Sequence, residues 1–412
     1  MCRPRFEMKD TEKGVCAPIG FKAAGVHCGI RKNKSKLDLA LIVSDRDAAA
    51  AGVYTRNKVK GAPIAVTKEH IADGKARAIV CNSGNANTCN ADGEEKAREM
   101  CRLVELNTGI PQEDVIVAST GVIGQILPIE PIAEGMPALA GALSEDGSAD
   151  AAAAIMTTDT VKKEFACEFE LGGKTCRMGA IAKGSGMIHP NMATLLCFVT
   201  TDAAVSSQVL ARALKEVVDD TLNMVSIDGD SSTNDMALVL ANGAAGNKTV
   251  DSADGEDYAA FRNALLYIMT KLSKAIAKDG EGATRLIECA VSGAADIASA
   301  KAIAKSVVCS SLLKAAMFAS DANWGRILCA IGYADAVCDI EKVGVVLRSR
   351  AGSVEVCKDG NGVEFSEEEA KKVLLEDEVT IDVTCGDGTA QAVAWGCDLT
   401  YDYVKINADY RT

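Results

Sequence analysis

Histidine is nearly missing from this chain: His27, His70 and His189 are the three in 412 residues. A histidine-rich metal site is therefore disfavoured, and a Ser–His–Asp arrangement would have to use one of these three. Chemistry that brings its own base is favoured instead. The sixteen cysteines contain no CxxC pair and are scattered singly. That pattern fits reduced thiols packed as small apolar side chains in a cytosolic protein, not disulfides or zinc ligands. No apolar run reaches the roughly 18 residues of a membrane span. The start, Met1-Cys2-Arg3-Pro4-Arg5-Phe6-Glu7, lacks the apolar core of a secretory signal. Positive charge is in deficit. The net charge of −13 argues against nucleic acid or an anionic membrane as a partner. There is no Gly–four residues–Gly-Lys-Ser/Thr phosphate loop. The acidic stretch with Asp228, Asp230 and Asp235 has Val239 where a calcium loop starting at Asp228 needs its twelfth-position glutamate. It reads as a helix-capping loop or the wall of an active site. No fixed-period repeat and no long Pro/Ser linker divides the chain.

What is present is the balance of a soluble globular protein, 48% hydrophobic and 25% charged, long enough for one large domain or two ordinary ones. The first twenty residues read as a polar surface arm. Strands are expected at 36–44, 63–67, 76–81, 115–118 and 167–171, from alternation or short apolar runs. Asp92 with Glu95 resembles a capping box. The helix it opens carries Ala97, Met100, Cys101 and Val104 on one face and ends at Gly109 and Pro111. An Ala-rich helix leads to Met156-Thr157-Thr158-Asp159-Thr160. Leu210, Leu214, Val217 and Val218 mark another helix, and Leu265 to Ile276 a long one that stops at Asp279-Gly280-Glu281-Gly282. A second long helix is expected over 298–318. Strands follow at 343–347, 353–357, 379–385 and 390–397, the last two joined as a hairpin through Gly386-Asp387-Gly388. Asn323-Trp324-Gly325-Arg326 reads as a buried turn. This irregular mixture suggests an α+β or layered α/β protein, not a βαβ wheel.

The most distinctive segment runs Lys183-Gly184-Ser185-Gly186-Met187-Ile188-His189-Pro190-Asn191-Met192-Ala193-Thr194-Leu195-Leu196-Cys197-Phe198-Val199. Its first half is glycine-rich and ends in a proline turn. Its second half is a buried strand. Thr194 stands where the irregular half enters the core, behind the small Ala193. Attack of its hydroxyl on the Ala193 carbonyl would cut the chain. Thr194 would then be an N-terminal residue bearing both a nucleophile and an α-amine, and an α-amine titrates near about 7.7–8.0. That amine accepts the hydroxyl proton at neutral pH, giving the threonine/N-terminal-amine form of the nucleophile–base pair. With this base in place, His189 reads as a structural histidine.

This string resembles the cleavage site of the ornithine acetyltransferase (glutamate N-acetyltransferase) family of arginine biosynthesis. The resemblance implies an αββα sandwich of stacked mixed sheets flanked by helices. It implies self-cleavage into residues 1–193 and 194–412, and two copies of each fragment in an α2β2 assembly. Thr194 would carry an acetyl group from N2-acetyl-L-ornithine to L-glutamate by a ping-pong route. No cofactor would take part, and acetyl-CoA is left open as a second donor. Thr120 and Gly121, in the turn after a buried strand, would form the oxyanion hole. Thr157, Lys183, Glu281, Asn407 and Thr412 would join Thr194 in binding substrate. No metal is expected, and the cytoplasm is the expected location. Two other readings stay open. One is a self-processing aminopeptidase or amidase that passes the acyl group to water. The other is an uncleaved amino-acid-binding protein in which Thr194 is structural.

Overall fold

The computed structural model describes residues 7–189 and 195–409. Ala193, Thr194 and Thr412 therefore lie outside the described residues. The strands are β1 (Lys9–Thr11), β2 (Phe21–Val26), β3 (Leu39–Tyr54), β4 (Lys75–Asn85), β5 (Val115–Val122), β6 (Lys163–Leu171), β7 (Lys174–Lys183), β8 (Leu196–Thr201), β9 (Val225–Ser226), β10 (Met236–Ala241), β11 (Leu286–Ala294), β12 (Gly344–Ser349), β13 (Gly352–Lys358), β14 (Asn361–Gly362), β15 (Glu378–Thr384) and β16 (Ala390–Cys397). The helices are α1 (Ala62–His70), α2 (Gly93–Thr108), α3 (Glu130–Gly141), α4 (Ser148–Ala154), α5 (Ser207–Asp220), α6 (Glu256–Lys278), α7 (Ile297–Cys309), α8 (Ser311–Phe318), α9 (Trp324–Gly332), α10 (Glu367–Leu374) and α11 (Tyr401–Asp409).

One long strand, β3, gives the molecule its layers. Its first half pairs with β2 and β4 and its second half with β10. The β3–β4 register shifts between Val43 and Ala48, the irregularity that lets a strand bend. The sheet β1-β6-β7-β8-β10-β3-β4-β5, with β2 also on β3, is thereby folded into two facing limbs. The Asn234 side chain, just before β10, donates to the Ser119 carbonyl on β5, although two strands separate β10 from β5 in the sheet. Side chains alternate between faces of a strand. Ala40, Ile42, Ile79, Cys81, Ile116 and Ala118 of one limb share an inner core with Ile181, Leu196, Phe198, Leu238 and Leu240 of the other. Outside the first limb, Leu39, Leu41, Val80 and Val117 pack on α2 and α3. Outside the second, Val199 and Val239 pack on α5 and α6. Each fully buried Leu, Ile or Phe contributes about 1.5–3 kcal/mol. This is the αββα arrangement.

A second sheet, β14-β13-β12-β15-β11-β16-β9, continues the α5/α6 core, and β11 and β16 pack against both α6 and α7. So the stacked layers are limbs of a single sheet, and the C-terminal strands form an additional layer. Among the described residues no helix is long and apolar enough to cross a membrane.

Several local expectations are corrected. Residues 63–67 are helical in α1. Pro63 sits in the first turn, where its missing N–H costs nothing, and burial of Ile64 and Val66 overrides their strand preference. Among the described residues of the expected surface arm, 14–16 are packed inside instead: Val15 is fully buried and its N–H donates to Ser148 Oγ at 3.0 Å. Asp92 precedes α2 but its side chain makes no cap bond. The Ala-rich helix is two helices, α3 and α4. The expected 298–318 helix breaks at Ser310, which caps α8 by accepting from Leu313 N. β15 and β16 are not a hairpin, because β11 lies between them, parallel to β15 and antiparallel to β16. Asn323 is the N-cap of α9, accepting from Arg326 N, so its stretch opens a helix.

Candidate active site

The folded sheet brings the ends of β5 and β7 to one cavity. Its volume is about 100 Å³, and Thr120, Gly121, Thr157, Lys183, Glu281 and Asn407 all line it. Ala86, Ile123, Thr158, Gly186, Met187 and Ser232 to Asn234 complete the wall. These residues come from stretches widely separated in sequence. A larger cavity, about 630 Å³, lies between the N-terminal segment and β6 and β7. It contains none of the expected site residues.

Gly121 has φ +133° and pairs with Gly84 across the parallel β4–β5 ladder. A Cβ at Gly121 would lie 2.4 Å from the Gly84 carbonyl carbon. Only glycine lets the backbone take this path, which turns the Thr120–Gly121 corner toward the cavity. Lys183 ends β7 and is buried. Burial lowers its pKa, against the opposing pull of Asp159 and Asp235. Glu281 follows α6, and its N–H donates to Ser185 O at 2.9 Å. Its carboxylate accepts from Asn407 Nδ2 at 2.7 Å, which docks α11 over the cavity. Gly186 makes room for it, since a Cβ there would sit 2.3 Å from the Glu281 carboxylate.

Beneath these residues lies a buried charge cluster that sequence reading missed. Lys163 Nζ donates to Asp159 Oδ1 at 2.7 Å and to Asp279 Oδ2 at 2.6 Å. Asp159 also accepts from Gly184 N at 2.7 Å and Thr157 N at 3.1 Å, which fixes both neighbours of the cavity. Burial pushes the Asp159 pKa up, but Lys183, Lys163 and these hydrogen bonds together hold it below the usual carboxylate range. Its stabilising effect is thus complete above the unfolded pKa of about 3.9 and is lost as pH falls through the lower folded value. Asp159 stands inside the string that contains Thr157, but its partner Asp279 is 120 residues away and no local spacing announces it. Replacing Lys163 by Met should remove the ammonium that hydrogen-bonds both Asp159 and Asp279, leaving only the nearby Lys183 to offset the buried Asp159 charge. We expect a loss of roughly 3–5 kcal/mol, read as a lower urea midpoint at pH 7. The deficit should shrink at pH 5, where the orphaned carboxylates take up protons.

The acidic loop is a site wall, with no helix following it. Asp228 accepts from Met187 N at 2.6 Å and Ile188 N at 2.9 Å, bracing the glycine-rich segment. Asp235 is buried, and burial raises its pKa well above the usual value. Among the described residues no group of three or more His, Cys, Asp or Glu side chains is arranged to hold a metal. His189 does not line the cavity. Its Nδ1 lies 3.0 Å from Ser226 Oγ, and burial, reinforced by Lys305, lowers its pKa to about 4. Fifteen described cysteines are free, most of them buried.

The cavity is lined by a carboxylate, a lysine and amide side chains, together with Thr120 and Gly121, residues that carry a hydroxyl and backbone N–H donors. Comparison with known proteins adds to this geometry. The ArgJ family model matches residues 22–412. The arginine biosynthesis bifunctional protein ArgJ 1 of Clostridium acetobutylicum is 52% identical over 393 residues, covering 95% of this chain and 96% of the relative. The structure of an arginine biosynthesis bifunctional protein ArgJ from Bacillus halodurans is 45% identical, with a TM-score of 0.49, over 52% of this chain and 98% of that one. An ornithine acetyltransferase from Mycobacterium tuberculosis, crystallised with ornithine, is 37% identical, with a TM-score of 0.41, over 45% of this chain and 100% of its own.

Proposed function

This chain belongs to the ArgJ family, and from that premise we propose that it is a self-processing acetyltransferase of arginine biosynthesis. Thr194 Oγ attacks the Ala193 carbonyl, the peptide C–N bond breaks as an ester forms on Oγ, and water hydrolyses that ester, leaving a carboxylate on Ala193 and a free amine and hydroxyl on Thr194. The freed Thr194 amine then takes the Oγ proton as Oγ attacks the acetyl carbonyl of N2-acetyl-L-ornithine. The Thr120 hydroxyl and the Gly121 N–H stabilise the tetrahedral oxyanion. Ornithine leaves with a proton on its nitrogen, and the acetyl group stays as an ester on Thr194. The amine of L-glutamate attacks that ester, giving N-acetylglutamate and restoring the hydroxyl. No cofactor enters this sequence.

The observation that supports this reading is the convergence of Thr120, Gly121, Thr157, Lys183, Glu281 and Asn407 on one cavity. Glu281 suits a substrate ammonium and Lys183 a carboxylate, on charge alone. Cleavage is compatible with a standing structure. β7 and β8 flank the proposed cut and pair antiparallel, Lys183 opposite Leu196, so fragments 1–193 and 194–412 would stay hydrogen-bonded as halves of an α2β2 assembly.

The test is denaturing intact mass followed by a transfer assay. We expect two fragments in place of one 42.9 kDa chain, the second beginning with threonine. Acetyl should pass from acetylornithine to glutamate without net hydrolysis; acetyl-CoA in the same assay reads the second donor. Release of acetate regardless of glutamate would favour an amidase. An intact, inactive chain that binds acetylornithine would favour a binding protein.

A further inference from the structure

The Thr120–Gly121 corner lies where the β4–β5 ladder loses its regular register. Asn85 faces both Thr120 and Val122, and the pairing shifts between Gly84 and Asn85. Ser83 still faces Thr120 and Gly84 faces Gly121, but the ladder gives way directly after them, so the corner gains from a brace outside the ladder. Asn234 is buried, 5% exposed, and its amide spans this gap. Nδ2 donates to Ala86 O at 2.6 Å and to Ser119 O at 3.0 Å, the residue immediately before Thr120. Oδ1 accepts from Thr88 Oγ1 and Thr233 Oγ1, both at 2.6 Å. Both donor hydrogens and both acceptor lone pairs of the amide are thus used, so its orientation is fixed in one sense only.

We propose that Asn234 is a positioning residue for the oxyanion corner, clamping the backbone that carries Thr120 and Gly121 from across the proposed cleavage boundary. The proposal rests on the acetyltransferase reading. Asn234 acts through the Ser119 carbonyl and the Ala86 loop. Its contribution is therefore to the geometry of donors that matter most when charge develops on the substrate oxygen. Gly61 belongs to the same device. Its backbone is ordinary extended chain, φ −61° and ψ 139°, so alanine is allowed there. Yet a Cβ would lie 2.4 Å from Asn234 Nδ2 and 2.7 Å from Cγ. The glycine is needed for the space the amide occupies, not for its own conformation.

Two variants test this. Asn234→Asp keeps the shape but turns the two donors into acceptors facing two carbonyl oxygens. Gly61→Ala keeps the amide and displaces it. In the cleaved fraction of each, measured by intact mass, kcat for acetyl transfer should fall about 10- to 100-fold with KM little changed, the scale on which small misplacements act. The melting temperature of Gly61→Ala should fall less than that of Asn234→Asp, which sets a charge against two carbonyl oxygens. A fall in melting temperature with kcat intact would make Asn234 merely structural and overturn the proposal. So would a rise in KM at constant kcat, or failure of both variants to cleave. Wild type, assayed alongside, separates the two levels: if it transfers no acetyl group, the acetyltransferase reading itself has failed.

Discussion

Thr194→Ala protein should run as a single 42.9 kDa species and transfer no acetyl group. Two independent chemical steps need the same oxygen. Scission of the Ala193–Thr194 bond requires a hydroxyl to attack the preceding carbonyl, and alanine has none. Transfer requires an oxygen to hold the acetyl group between ornithine and glutamate, and it requires the α-amine that only scission creates. Removing a nucleophile of this kind from an acyl-transfer enzyme costs on the order of 10⁶ in kcat, which places the variant below detection in an ordinary assay. Thr194→Ser retains the hydroxyl and should keep part of both activities. Denaturing mass spectrometry and N-terminal sequencing check the first step, and a coupled assay for N-acetylglutamate checks the second. A Thr194→Ala preparation already cut before residue 194 would sink the self-cleavage idea outright. The assignment of the nucleophile rests on the sequence, because Thr194 lies outside the described residues.

The second large effect is expected at Gly121. An alanine there must hold a φ near +133°, a region side chains rarely enter, while its Cβ meets the Gly84 backbone at 2.4 Å. Neither neighbour is a flexible side chain tip, so the strands must part. Folding should lose about 1–3 kcal/mol, the usual cost of such strain. The catalytic loss should be larger, about 10²–10³-fold in kcat, because the corner that gives way carries the proposed oxyanion donors. KM for acetylornithine should change much less, since Lys183 and Glu281, the proposed charged contacts to the ground state, are on other elements. Equal losses in kcat and in binding would indicate a general collapse of the cavity instead.

The parts of this protein legible in the sequence are those whose cause is local. A buried apolar run that ends in Thr-Gly, a Gly-rich stretch that ends in Pro, and a Gly-Glu-Gly turn after a long helix each mark their own place. What joins them is not local. Asp279 completes the charge cluster under Lys183 from the far end of α6. Asn234 reaches from the acidic loop to β5. Neither residue carries a spacing that tells of its partner. The β15–β16 turn shows the same limit: a Gly-Asp-Gly turn predicts a reversal of the chain, which occurs, but which strand then fills the adjacent slot depends on β11, nearly one hundred residues earlier. The failed expectation for α1 has a different origin. Pro63, Ile64, Val66 and Thr67 are weak helix formers, and the helix persists because those four side chains are buried and the Thr67 hydroxyl donates to Val117 O at 2.7 Å. Tertiary packing there outweighs local preference.

The pairing of β7, β8 and β10 also bears on how the protein would hold together after the proposed cut. β8, which follows the proposed cut, is flanked by β7 from the first fragment and β10 from the second, and β10 in turn is flanked by β3 of the first. The fragments are therefore woven strand by strand, not docked as two finished bodies. An uncut chain unfolds and refolds as one molecule, whereas the proposed cleaved form would gain the translational freedom of a second chain whenever it unfolded. Its stability then depends on protein concentration, as for any obligate complex. One peptide bond broken between β7 and β8 would change the molecularity of folding while the strand pairings on either side stayed as they are.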